Sequence, residues 1–337
     1  MPQDSGVSPT GEQHLSPGCI LCHQGAKMVL FVTGRCRRTC WYCPLSRERK
    51  GRDVVFANER QISSPHEAIE VAESMSALGT GVTGGEPLIE LDRVVEYTTA
   101  LKEHFGPDHQ IHIYTGLAPD EAMLRRLQGL VDEIRLHPPH ESWPRILDTD
   151  FARSAALARE MGFLIGIEVP ALPGLKDLAA ALPLLDFLNI NELEWGETCA
   201  PAMRERGLEL DDGLHNAVLG ARGWAEALAG DPKVHFCSSV FKDSVQLRER
   251  LKRIAANTAR PFEEITDDGT VVYGVFEPEG EIGGILEEFD ENEYATVEGR
   301  IEMAWWVLAE HGDRFSGRKY VVERYPNGGM VVEVTPL

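Results

Sequence analysis

Between Met28 and Cys237 the chain alternates short apolar runs with amphipathic stretches, and this alternation limits the fold more than any other feature. Runs of strand length occur at 28–33, 80–83, 111–115, 133–136, 164–169, 192–195 and 234–236. Stretches with helical spacing of apolar residues fall between them, at 64–78, 91–104, 120–127, 152–161, 177–188 and 214–228. Ser64-Pro65-His66-Glu67 opens the first of these as a capping box, with Pro at the first helical position. Short links between strand and helix imply parallel strands joined by right-handed crossovers. The expected fold is α/β, an open or partial (β/α) barrel, in which chemistry gathers at the C-terminal ends of the strands. The loop holding Cys36, Cys40 and Cys43 follows the first run. Gly84–Pro87, Thr115, His137, Glu168, Glu197, Cys199 and Cys237 lie at or just past later ones. All of them would share one rim.

From Pro261 the pattern changes. A strand at 269–276, an acidic linker at 277–293, a helix at 297–311 and a hairpin turning at Pro326-Asn327-Gly328-Gly329 suggest a small C-terminal α+β domain over 262–337. Residues 1–27 form an N-terminal arm with Cys19 and Cys22, 28–240 the barrel, and 241–261 a helical connector. Trp305 and Trp306 read as core or docking groups. The N-terminus has neither a basic n-region nor an apolar h-region, so it reads as a flexible lead-in. No run approaches the ~20 apolar residues that span a bilayer. A cytoplasmic protein is expected.

A net charge of −21 argues against broad contact with nucleic acid or anionic membrane, both of which would be repelled. The charge is uneven. Basic residues gather at 35–52 (Arg35, Arg37, Arg38, Arg47, Arg49, Lys50, Arg52) and at 248–260 (Arg248, Arg250, Lys252, Arg253, Arg260). These are either two solvated faces or a frame for an anionic cluster, cofactor or substrate.

The 7 cysteines are an odd number, which in a cytosolic chain favours metal or redox chemistry over a disulfide framework. Cys36-x3-Cys40-x2-Cys43 presents three thiolates within one loop. A cubane iron–sulfur cluster has four iron corners, so three ligands leave one iron open, as a catalytic metal site requires.

The segment Gly34-Arg-Cys-Arg-Arg-Thr-Cys-Trp-Tyr-Cys43 resembles the cluster loop of the radical S-adenosylmethionine superfamily, including an aromatic, Tyr42, before the third cysteine. Gly84-Gly85-Glu86-Pro87 resembles the Gly-Gly-Glu-Pro motif of the same superfamily. Gly162-x-Leu164-x-Gly166-x-Glu168 is similar to its looser glycine–acid motif. The resemblance covers about residues 28–240 and implies a partial (β/α)6-type barrel carrying a [4Fe–4S] cluster and S-adenosylmethionine. It implies that Cys36, Cys40 and Cys43 ligate the cluster and that Gly84 and Gly85 let backbone approach the cofactor. Glu86 and Pro87 would shape the loop that meets the methionyl ammonium, and Tyr42 would border adenine. Thr115 and Glu168 are candidates for the carboxylate and ribose. Cys19-x2-Cys22 and the stretch Cys237–Asp243 with Gln246 resemble, more narrowly, an archaeal-type group related to pyruvate formate-lyase activating enzyme.

Cys19, Cys22, Cys199 and Cys237 could hold a second metal or cluster; the alternative is that Cys199 and Cys237 are buried and the first pair is a local site. Lys242 and Asp243 could meet substrate or form a solvated pair, and Asp243 could equally be a helix cap. His137 could donate a proton or be a hydrogen-bonded rim residue, and Glu194 and Glu197 could bind a cation or pair structurally. The leading function is a radical enzyme acting on a peptide, protein or small molecule, fed by a one-electron donor such as ferredoxin or flavodoxin. A tRNA-modifying enzyme and a noncatalytic iron–sulfur or zinc protein are the alternatives.

Overall fold

In the computed structural model, residues 15–279, 286, 289–290, 292–314 and 316–337 are described. The chain divides into two compact units, one of residues 1–73 and 77–245 and one of 74–76 and 246–337. Much of the acidic stretch at 277–293 and most of the N-terminal lead-in lie outside the described residues. No helix among the described residues is long and apolar enough to cross a membrane.

The first unit is built on a nine-stranded sheet. Its strands are β1 (Lys27–Phe31), β2 (Val55–Ala57), β3 (Arg60–Ile62), β4 (Gly79–Thr83), β5 (Gln110–Thr115), β6 (Glu133–Leu136), β7 (Leu164–Pro170), β8 (Phe187–Asn191) and β9 (Val234–Cys237). The order is β3-β2-β1-β4-β5-β6-β7-β8-β9. From β1 through β4 to β9 every pairing is parallel, and β2 and β3 add an antiparallel hairpin at one edge. The sheet stays open at both ends, as a partial barrel does. Helices Pro65–Ser74, Leu91–Phe105, Glu121–Leu127 and Asp150–Glu160 fill the crossovers. The capping box forms: Ser64 N donates to Glu67 Oε2 at 3.1 Å and Glu67 N to Ser64 Oγ at 3.4 Å.

Alternation along the strands sorts the two faces. Ile111, Ile113, Ile134, Leu136, Ile165, Ile167, Leu188 and Ile190 are at most 2% exposed. The residues between them, His112, Tyr114, Arg135, Glu168, Asn189 and Asn191, turn polar groups to the inner side. That inner side receives helix α1 (Pro17–His23), which lies within the N-terminal arm expected from sequence. Its cap Ser16 donates to Glu133 Oε1 at 3.0 Å and accepts from Arg135 Nη2 at 3.1 Å, and Gly18 N donates to Glu133 Oε2 at 3.2 Å. A Cβ on Gly18 would stand 2.6 Å from Arg135 Nη2 and His112 Nδ1, so only glycine admits the helix here.

Four element assignments are corrected. The helix expected over 177–188 is a 3₁₀ stretch, Leu175–Leu184, which ends next to Pro183. Phe187–Asn191 is then β8, and Glu192–Trp195 follow it as loop rather than strand. The helix expected over 214–228 shrinks to Ala221–Ala225 and a 3₁₀ turn, because Gly220 sits at φ 81° before it. In the second unit, Val297–Met303 is part of a hairpin rather than helix, since Glu298 and Gly299 both take positive φ between the two strands.

The second unit is a six-stranded sheet of β10 (Glu264–Ile265), β11 (Val271–Pro278), β12 (Tyr294–Val297), β13 (Arg300–Met303), β14 (Gly317–Arg324) and β15 (Val331–Pro336), with antiparallel pairings. Helix Trp305–His311 packs on it through Leu308, against Phe276, Ile301 and Met303. Trp305 Nε1 donates to Glu264 Oε2 at 2.6 Å, while Trp306 is exposed.

His109, just before β5, is buried and hydrogen-bonded to Thr80 Oγ1 at 2.8 Å. Burial, helped by Lys102, lowers its pKa from 6.5 to about 4. A histidine that resists protonation only when folded stabilises the protein fully above pH 6.5, and that stability is lost as pH falls toward 4. Unfolding free energy should therefore drop by up to about 1.4 kcal/mol per pH unit in this window on account of His109 alone. Denaturant titrations of His109→Gln should show a correspondingly shallower slope; an identical slope would exclude this assignment.

Candidate active site

The β1–β4 pairing continues past the strand ends as a ladder between two loops. Val32 N donates to Thr83 O at 2.9 Å, Gly85 N to Thr33 O at 2.7 Å and Glu86 N to Arg35 O at 2.8 Å. A Cβ on Gly84 would sit 2.6 Å from Thr33 O, and one on Gly85 2.6 Å from Gly34 O and closer still to Arg35 O. The glycine pair is thus required for backbone to lie on backbone. The sequence reading assigned that close approach to a ligand; the pair lines the cavity and also lies against the neighbouring cysteine loop. That loop folds back on itself, with Gly34 N donating to Arg52 O and Gly51 N to Gly34 O, both at 2.8 Å.

Glu86 organises the second loop. Its side chain caps the 3₁₀ turn Pro87–Glu90 by accepting from Leu88 N at 3.1 Å, with Pro87 at the first helical position. It also accepts from Thr115 Oγ1 and Gly116 N, each at 2.7 Å, which ties the β4 loop to the β5 loop. Burial raises its pKa, against the pull of these three donors and Arg38. Thr115, expected beside the cofactor's carboxylate or ribose, lines the cavity but directs its hydroxyl to Glu86 and accepts from Leu117 N at 3.0 Å.

Cys36, Cys40, Tyr42, Cys43, Gly84, Gly85, Glu86, Pro87, Thr115, His137 and Glu168 all line one cavity of about 570 Å³. Every main site residue expected from sequence therefore meets there. Cys36 is exposed; Cys40 and Cys43 are half-buried, joined by a turn in which Cys43 N donates to Cys40 O at 3.2 Å. Among the described residues no three His, Cys, Asp or Glu side chains are grouped to hold a single metal ion. A cubane does not ask for such a group, because each thiolate binds a separate iron. Three loop thiolates on a cavity wall fit it.

Tyr42 is buried and fixed. His137 Nδ1 lies 2.9 Å from Glu168 O, a carbonyl that can only accept, so Nδ1 carries the proton. Nε2 is then the acceptor for Tyr42 Oη at 3.1 Å. Burial lowers the His137 pKa to about 4, and both ring nitrogens are hydrogen-bonded, to Glu168 O and Tyr42 Oη. Glu168 carries the negative charge of the wall. Burial alone would raise its pKa, but Arg135 at 2.6 Å, with Asn191 at 2.8 Å and Asn189 at 3.0 Å, holds it down at about 2.

Sequence reasoning missed Arg135, which binds both Glu133 and Glu168 at 2.6 Å while only 2% exposed. The available signal was a charged pair, Glu133 and Arg135, on alternate positions of an otherwise apolar strand. At the β8–β9 end of the cavity, Lys242 Nζ meets Glu194 Oε1 at 2.9 Å, and Lys242 opens a π-helical turn, Lys242–Leu247. Such turns recur at functional sites. Asp243 does not line the cavity, and Glu197 pairs with Arg47 at 3.0 Å.

Of the remaining cysteines, Cys19, Cys22 and Cys237 neighbour one another and Cys199 lies beside Cys43. Cys19 Sγ accepts from Asn189 Nδ2 at 3.2 Å and lies 3.6 Å from Arg135 Nη2, on the inner side of the sheet. Cys237 is also buried; burial pushes its thiol up to about 12, with Cys22 and Cys19 among the groups it senses. Cys199 instead packs against Gly196 and Met203, in the loop where Thr198 Oγ1 donates to Cys43 O and Leu45 O. Among the described residues no three His, Cys, Asp or Glu side chains are grouped around these cysteines, and Cys199 lies apart from Cys19, Cys22 and Cys237.

The radical SAM superfamily profile matches residues 30–177, and a domain of unknown function (DUF8061) matches residues 269–337. A protein of Methanocaldococcus jannaschii named "Putative glycyl-radical enzyme activating enzyme" is 35% identical, over 96% of this chain and 93% of its own length. Streptococcus suis SuiB bound to S-adenosylmethionine aligns over 63% of this chain and 50% of its own, at 11% identity and TM-score 0.40. SuiB bound to the precursor peptide SuiA aligns over 67% and 60%, at 12% identity and TM-score 0.38.

Gly85→Ala should displace the cysteine loop at a cost of about 1–3 kcal/mol, the usual range for overpacking. Anaerobic iron analysis should find most of the bound iron lost while the circular dichroism spectrum stays that of the wild type. Full iron retention would show that the two loops do not depend on this contact.

Proposed function

Because this chain belongs to the radical S-adenosylmethionine superfamily, we propose that it is an activase-like enzyme. In this reading it carries a [4Fe–4S] cluster on Cys36, Cys40 and Cys43 and acts on a glycyl residue of a polypeptide. The observation that carries the first half is the meeting of the three thiolates, the Gly84–Pro87 loop and Glu168 on one cavity wall. The activase half is supported by the full-length likeness to the Methanocaldococcus jannaschii protein. When bound and reduced by a donor such as ferredoxin or flavodoxin, the cluster supplies the electron that cleaves S-adenosylmethionine to methionine and a 5′-deoxyadenosyl radical, which takes a hydrogen atom from the target.

The protein's own part is positioning. The loop ladder sets the spacing between the cysteines and the Gly84–Pro87 segment, and Glu86 locks that segment to β5. The Tyr42–His137 bond keeps the third-cysteine end of the loop against β6 and β7. Glu168, whose pKa Arg135 holds down, can accept hydrogen bonds from a cofactor's hydroxyls. Lys242 and Glu194 offer a donor and an acceptor at the far end of the cavity, as a peptide carbonyl and N–H would require.

The test is anaerobic. Protein reconstituted with iron and sulfide, reduced with dithionite and given S-adenosylmethionine should form 5′-deoxyadenosine. Cys40→Ala should form none, because two thiolates cannot hold the cubane with one open corner. Equal formation by wild type and variant would remove the cysteine loop from the chemistry.

A further inference from the structure

We propose that Arg38 is a positioning residue: its guanidinium clamps the cysteine loop to the end of β6 and keeps an unneutralised positive charge beside the cluster, which makes the cluster easier to reduce. The proposal rests on the cluster assignment above and adds to it a residue that biases the cluster's potential.

Arg38 lies between the first two cysteines of the loop, and it is held at both ends. Its backbone N–H donates to Cys36 Sγ at 3.3 Å. Its side chain leaves the loop, and Nη1 donates to His137 O, just past β6, at 2.7 Å. The guanidinium stands over the ring of Phe151, 5.6 Å from its centre. It also lies against Gly116, where a Cβ would come within 3.0 Å of Nη1. One side chain thus joins the loop after β1 to the strand ends of β5 and β6. The neighbouring Arg37 is exposed, whereas Arg38 is half-buried, so this is not a solvated loop arginine. Arg38, Cys40 and Tyr42 line both the cavity of about 570 Å³ and a second recess of about 590 Å³, and so form the partition between them.

The partners of Arg38 leave its charge intact. Arg35 and Arg47 of the same loop are neutralised, by Asp53 and Glu90 and by Glu197. Arg38 is held instead by a carbonyl and an aromatic ring. Glu86, across Gly116, is occupied by Leu88 N, Thr115 Oγ1 and Gly116 N. A guanidinium cannot give up its proton, so the charge is permanent. Cys40, Tyr42, Glu86 and His137 all lie near enough to feel it. Reduction adds negative charge to a cluster on three thiolates, and a fixed cation stabilises the reduced form more than the oxidised one. The N–H donated to Cys36 Sγ acts in the same direction. A merely structural tie would act oppositely when lost, because water entering beside the cluster also favours the more highly charged, reduced form.

The experiment is a redox titration of the full-length, reconstituted protein, followed by electron paramagnetic resonance without S-adenosylmethionine. Arg38→Met should make one-electron reduction about tenfold less favourable, a midpoint lower by about 59 mV, with iron content at the wild-type value. Arg38→Lys, which keeps the charge, should return the equilibrium to within about threefold of wild type. A midpoint in Arg38→Met that stays or rises overturns the proposal. Should Arg38→Met lose its iron, Arg38→Lys decides: iron retained with a midpoint near wild type supports the proposal, and iron lost there too overturns it. Wild-type protein that takes up no cluster would sink the cluster assignment instead. Hydrogen exchange in the iron-free protein then decides the clamp: amides of residues 39–43 should exchange about tenfold faster in Arg38→Met, and unchanged exchange overturns it.

Discussion

The backbone ladder between the loop after β1 and the loop after β4 is the contact on which the site depends. Parallel pairing of two neighbouring strands runs on through Thr33–Gly85 and Arg35–Glu86, where ordinary side chains would force the loops apart. Two adjacent glycines remove the obstruction, and Glu86 then fastens the second loop to the third strand end through Thr115 and Gly116. The three cysteines are thereby placed by main-chain geometry, which does not vary with side-chain rotamer. A site that, in the proposed reading, keeps one metal corner open gains from such fixity.

Below that rim the inner face of the sheet is polar, and Arg135 governs it. One guanidinium holds Glu133, Glu168, Ser16 and the ring hydroxyl of Tyr114. A buried cation between two carboxylates costs several kcal/mol if one partner is removed. This arrangement therefore couples the N-terminal helix, through Ser16, to the carboxylate on the cavity wall. It also explains why Glu168 stays ionised in a site that would otherwise neutralise it.

Much of this was legible in the sequence for physical reasons that can be named. The strands showed because each is short, apolar and bounded by a cap or glycine, and the cysteine spacing together with Gly84–Pro87 marked the site. Phe187–Asn191 was misread because its first residues continue a leucine-rich helical run, and only Pro183 hints that the helix has stopped. The hairpin around Glu298 and Gly299 was missed because positive φ at a glutamate has no sequence signature. Arg135 was invisible as a site residue because its meaning comes from Glu168, 33 positions away, and from a helix whose first turn has almost no hydrophobic pattern.

In the proposed reading, three thiolates hold a cluster with one iron left for S-adenosylmethionine. Electron paramagnetic resonance of the reduced, reconstituted protein tests it most directly, recorded before and after adding S-adenosylmethionine. A [4Fe–4S] signal whose g-values move on addition is expected. A signal indifferent to S-adenosylmethionine, or protein that takes up zinc and no iron, would contradict it.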